Sequence, residues 1–86
     1  MAGDWWDAVR LDDDRITLAL VDVSGHGAEV ATFALRTKAL TMAAVANHEP
    51  GDALAWLAAP LGQNGELFLT GVVVEITAST GDVRYA

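Results

Sequence analysis

The stretch "RITLALVDVSGHG", Arg15 to Gly27, decides how this chain folds. Ile16, Leu18, Leu20 and Asp22 fall on one side of a two-residue alternation, with Thr17, Ala19 and Val21 on the other, which is the pattern of a β-strand. Asp22 follows the Ile16-Leu18-Leu20 side, so its carboxylate is expected at the edge of a buried layer. The strand then breaks on Ser-Gly-His-Gly, where Gly25 and Gly27 allow positive φ and a sharp turn. Past that turn the period changes. "AEVATFALRTKALTMAAVANH", Ala28 to His48, is rich in Ala and Leu and has neither Gly nor Pro. Val30, Phe33, Ala34, Ala44 and Val45 can share one stripe at helical spacing, which predicts a long helix.

Upstream, "WWDAVRL" (Trp5 to Leu11) reads as a strand and Asp12 to Asp14 as a turn, so the first two strands form an antiparallel hairpin. Downstream, Pro50 and Asp52 suit the start of a second helix running through "ALAWLAAPL" to Leu61. "GQNG" (62–65) is a loop. "ELFLTGVVVEIT" (66–77) is a β-branched strand, "ASTGD" (78–82) a turn, and "VRYA" (83–86) a further strand. The order is ββααββ, an α+β domain with antiparallel sheets and two helices. Its last strand stops four residues after its turn, and we expect a domain cut inside a strand.

The totals narrow the classes of function. Eighty-six residues make at most one domain, with a modest core. Twelve acidic against five basic residues give a net charge of −7, which disfavours nucleic acid and anionic membranes as partners. There is no cysteine, so neither disulfides nor thiolate metal sites enter. No apolar run approaches a membrane span and no signal peptide opens the chain, so a cytoplasmic protein is expected.

Six of the acids, Asp4, Asp7, Asp12, Asp13, Asp14 and Asp22, fall within the first 22 residues. In a tight hairpin, Asp4 and Asp22 can meet at one rim. Two hard oxygen ligands with open positions suit Mg²⁺ or Mn²⁺. A second reading stands beside this one: an Asp at a strand end before Ser-Gly also serves as an Asx-turn or helix cap. Asp12 to Asp14 read as a solvated turn. His26 reads as a turn residue, with a catalytic acid as its weaker alternative. Trp5, Trp6 and Trp56 read as core or hydrophobic-rim residues.

"GDWWDAVRLDDDRITLALVDVSGHG" (3–27) resembles the opening of a PPM-type metal-dependent protein phosphatase of the SpoIIE-like, sigma-factor-regulating branch. "PGDALAWLAAPL", "LFLTGVVVEI" and "TGDVRYA" are similar to the family in order and spacing. The resemblance implies an α/β/β/α sandwich, two Mn²⁺ or Mg²⁺ ions, and hydrolysis of phosphoserine or phosphothreonine by a metal-activated water. The implied substrate is a phosphorylated regulatory protein of a bacterial signalling system, of the anti-anti-sigma type. Carried over residue by residue, Asp4 matches the first metal aspartate and Asp22 the one bridging both ions, while Val23 lends its backbone carbonyl. The family continues past "VRYA" to an Asn-Ala-Gly-His segment and an Asp-Gly motif bearing another metal ligand, and Ala58 stands where its second helix has Asn. Residues 1–86 are therefore expected to be a partial domain lacking its C-terminal half, too short to be active alone. The alternative is a non-catalytic remnant that binds a partner or forms homo-oligomers through sheet edges such as that of "TGVVVEIT".

Overall fold

Residues 4–25, 27–61 and 67–86 are described by the structure, a computed structural model. Six elements follow the expected order: β1 (Trp5–Arg10), β2 (Arg15–Ser24), α1 (Glu29–Asn47), α2 (Pro50–Leu61), β3 (Phe68–Thr77) and β4 (Asp82–Tyr85). The four strands form one antiparallel sheet in sequence order, β1-β2-β3-β4. Pro50 occupies the first position of α2, where its missing N–H costs no helical hydrogen bond. The 62–65 loop and His26 lie outside the described residues.

The Asp12–Asp14 segment is the solvent-exposed turn its composition predicts. The Asp12 carboxylate accepts from the backbone N–H of Asp14 and Arg15 at 2.9 and 2.8 Å, and from the Arg15 guanidinium at 2.9 Å. The backbone N–H of Asp14, followed by the Arg15 side chain, holds the Asp12 carboxyl below its ordinary pKa. Asp14 reaches across to the β3–β4 turn, accepting from the Ser79 N–H at 2.8 Å. The two hairpin turns are thus tied together at one end of the sheet.

Both helices lie on the side of the sheet opposite to the expected one. Thr17, Ala19, Val21 and Val23 of β2 are buried beneath them, whereas Ile16 and Leu20 are exposed. Both sides of β2 are apolar, so alternation alone could not say which is covered. The helices meet the smaller set, because Ala44, Ala53, Thr37 and Thr41 on their buried sides let helix and sheet approach closely. Two clusters form the core. Ala19, Ala44, Val45, Ala53, Leu57 and Val73 make the first, and Val21, Val23, Val30 and Phe33 the second, nearer the end of β2.

Trp5 shows how the hairpin is fastened to α1. Its indole Nε1–H donates to the buried Thr37 hydroxyl at 3.2 Å, and that hydroxyl donates to the Ala34 carbonyl at 2.8 Å. Hydrophobic periodicity missed Thr37 as a buried residue, because a threonine reads as polar until its partner is known. Thr37→Val keeps the shape and removes the acceptor, leaving a half-buried N–H unpaired. A loss of about 1–3 kcal/mol is expected in urea denaturation, with Thr37→Ser recovering most of it.

The other two tryptophans stay near the surface. Trp6 is 68% exposed on the uncovered side of the sheet, so it is not a core residue. Trp56 stacks on His48 with ring centroids 6.0 Å apart. Of "TGVVVEIT", only Thr70–Val72 keeps an open edge, on the side that β4 does not reach. β3 is a central strand, paired with β2 along its whole length and with β4 over Val74–Thr77. The sheet ends on β1 and β4.

Candidate metal centre

The β1–β2 ladder decides which acids meet. It runs from Arg10↔Ile16 to Trp5↔Val21, and one further step places Asp4 opposite Asp22. Asp22 in turn lies opposite Thr70 of β3. The neighbouring Asp4 carboxyl, through hydrogen bonding first and then its like charge, raises the Asp22 pKa above its ordinary value. When both are ionised, two carboxylates placed this way repel each other.

Around the pair lies an open groove of about 580 Å³. Asp4, Asp22 and Thr70 are its polar lining, and Trp6, Leu20 and Val72 its main apolar wall. Gly71 also lines it. A Cβ at Gly71 would stand 3.1 Å from both the Leu20 carbonyl oxygen and Val21 Cγ2, so glycine lets β3 lie close against β2 here. Neither Thr70 nor Gly71 stood out as a site residue in the sequence. A glycine inside a β-branched run was the one available signal, and it marks close backbone approach rather than chemistry.

The structure separates the other acids from this pair. Asp7, two residues from the ladder's end, points to the helix side and pairs with Lys38 at 3.7 Å. Asp12 and Asp14 belong to the turn at the opposite end of the hairpin. Val23 has a fully buried side chain and pairs with Leu69. Among the described residues no group of three or more His, Asp or Glu that could hold a metal ion forms.

The cap reading of Asp22 is not what the fold uses. α1 begins at Glu29 with Ala28 as its N-cap and no side-chain cap hydrogen bond, and Asp22 lies inside β2. The turn between them rests on glycine. Gly25 has φ +148° and Gly27 has φ +88°, conformations that L side chains rarely adopt. A Cβ at Gly25 would also run into the Leu67 side chain.

A pH dependence follows from the raised Asp22 pKa. The folded state keeps this proton in a window above 3.8 in which the unfolded chain has lost it, so stability falls as pH rises through that window. The penalty is complete above the folded-state pKa. In chelator, Asp22→Asn should therefore be more stable than the parent at neutral pH. Lowering the pH toward the ordinary carboxylate value of 3.8 should narrow the difference. Paired urea midpoints at the two pH values measure it, and a variant less stable than the parent at neutral pH would contradict the electrostatic account.

No helix among the described residues is long and apolar enough to cross a membrane. No curated protein matches the chain. A family model does: the one described as stage II sporulation protein E (SpoIIE) matches residues 12–86. That span contains Asp22 and the turn after it but begins beyond Asp4, whose place in the site rests on the ladder register. With most of its length matched and the ββααββ fold in place, this chain belongs to the SpoIIE family of PPM-type phosphatases.

Proposed function

We propose that this phosphatase-related chain carries part of the metal site of a protein serine/threonine phosphatase, with Asp4 and Asp22 as cation ligands. The observation that supports this most is the meeting of the two carboxylates across the last step of the β1–β2 ladder. The donors are hard oxygens beside an open groove, which suits Mn²⁺ or Mg²⁺. Asp4 and Asp22 would hold the cation, and the Val23 carbonyl is a further donor on the same strand end. When bound, such cations polarise a phosphoryl group and supply hydroxide from water at neutral pH. The chain's own part is to fix two carboxylates at one rim, with Trp6, Leu20 and Val72 as an apolar wall against which a phosphorylated segment can lie.

The substrate we infer is phosphoserine or phosphothreonine on a regulatory protein of the anti-anti-sigma type, in sporulation or sigma-factor signalling of the kind the family serves. The test is a Mn²⁺ titration followed by electron paramagnetic resonance, in which the free-ion signal disappears on binding. The parent should take up Mn²⁺, and Asp4→Asn and Asp22→Asn should each lose that uptake. Undiminished binding in either variant would sink the assignment. The uncovered apolar side of the sheet favours a second reading, partner binding without catalysis, under which Mn²⁺ uptake is absent in all three proteins.

A further inference from the structure

Helix α1 grips β1 through two successive residues. On the helix side of the sheet, the Trp5 indole N–H donates to the Thr37 hydroxyl at 3.2 Å, and Asp7 pairs with Lys38 at 3.7 Å. The two grips are unequal. The Asp7 and Lys38 side chains are 44% and 43% exposed, and a surface ion pair of that kind holds little. Thr37 is fully buried, and its hydroxyl is itself fixed by donating to the Ala34 carbonyl at 2.8 Å. Trp5 also packs against both core clusters. Apolar contact is non-directional, so only the hydrogen bond selects one position of the ring along the helix.

We infer that Thr37 is a positioning residue for Asp4, acting through Trp5, an inference that rests on the cation-site reading above for its metal arm. The two carboxylates are held differently. Asp22 lies within β2, opposite Thr70 of β3, with buried Val21 and Val23 on either side of it in sequence. Asp4 stands just before β1, whose ladder to β2 begins at Trp5↔Val21. Asp4 is therefore the carboxylate whose place depends on its neighbour. Strand alternation sends the Trp5 side chain toward the helices and the Asp4 side chain to the opposite side, where it lines the groove with Asp22. A shift of Trp5 along α1 carries Asp4 with it across a single peptide link. Ligands of a cation have to be held to within about 0.5 Å of their working geometry. A helix residue that touches neither acid thus sets the separation of the two.

Mn²⁺ uptake followed by electron paramagnetic resonance, at a temperature where every protein is folded, gives the first test. Thr37→Val should weaken binding about tenfold, the lower end of what losing a ligand's supporting partner costs, and Thr37→Ser should restore it. Trp5→Phe keeps an aromatic ring on the core, removes the N–H, and should match Thr37→Val. Lys38→Ala should change the affinity less than about twofold. The second test uses no metal. In chelator at neutral pH, Asp4→Asn and Asp22→Asn each relieve the same repulsion. Their combined gain in urea unfolding should therefore fall short of the sum of the separate gains, and the shortfall reports how close the carboxylates stand. Thr37→Val and Trp5→Phe should each cut that shortfall at least about twofold, and Thr37→Ser should keep it. Leu57→Ala lies on α2, which packs on α1, β3 and β4. It should lower the urea midpoint and leave the shortfall intact, because lost stability alone does not move Asp4. A shortfall unchanged in Thr37→Val and Trp5→Phe, or cut equally by Leu57→Ala, overturns the positioning role. A parent that takes up no Mn²⁺, while its shortfall still depends on Thr37, sinks the cation reading and upholds the positioning of Asp4.

Discussion

With Mn²⁺ at 100 times its Kd, this chain should gain about 2.7 kcal/mol of stability, and Asp22→Asn should gain none. For a domain of this size, that is a rise in thermal midpoint of about 10–20 °C. The expectation has two parts with separate physical origins. In chelator the parent bears the repulsion between Asp4 and Asp22, which the variant lacks, so the variant starts from the higher midpoint. Added cation then acts on the parent alone, because one carboxylate with an amide beside it no longer offers two anionic oxygens. The order of the two midpoints should therefore invert on adding Mn²⁺. A parent midpoint unmoved by Mn²⁺ would mean that the carboxylates meet without forming a cation site. A variant that keeps the gain would place the ion elsewhere.

Phe33→Ala should cost about 3–5 kcal/mol. Phe33 is nearly fully buried on α1, packed with Val21, Val23 and Val30 beneath the end of β2. At about 0.05–0.15 kcal/mol per residue, the whole domain has roughly 4–13 kcal/mol of net stability, so this one truncation removes a large part of it. The consequence reaches the site. Val21 and Val23 flank Asp22 in sequence and are held down by that cluster, with Trp5 beside them and Asp4 next to Trp5. A folded population of Phe33→Ala, isolated at low temperature, should bind Mn²⁺ more weakly than the parent, although residue 33 touches neither carboxylate. Urea unfolding gives the first quantity and a Mn²⁺ titration the second. A loss under about 1 kcal/mol would mean that α1 can collapse into the vacated space.

Much of this was legible along the chain. The alternation of Arg15 to Asp22, the change of period after Gly27 and the β-branched run before Thr77 set the element order, because strand and helix each impose their own spacing on apolar residues. The solvated turn at Asp12 to Asp14 was legible too. Glycine marked the turn at residues 25 and 27, where the backbone takes conformations closed to other side chains. Other features had no one-dimensional signature. Thr37 is buried because the Trp5 indole reaches it from 32 residues away. Thr70 stands beside Asp22 only because β3 pairs with β2 in one register rather than the next.

What the sequence determined by itself, then, was the order of the elements and the chemistry of the residues at their ends, since local spacing and residue type suffice for both. The tertiary structure alone decided which side of β2 the helices cover. Both sides are apolar enough to be buried, and close approach to an Ala- and Thr-rich helix layer favours the side with smaller residues. That choice puts Val21 and Val23 in the core and leaves Trp6, Leu20 and Val72 on the same open surface as the two carboxylates.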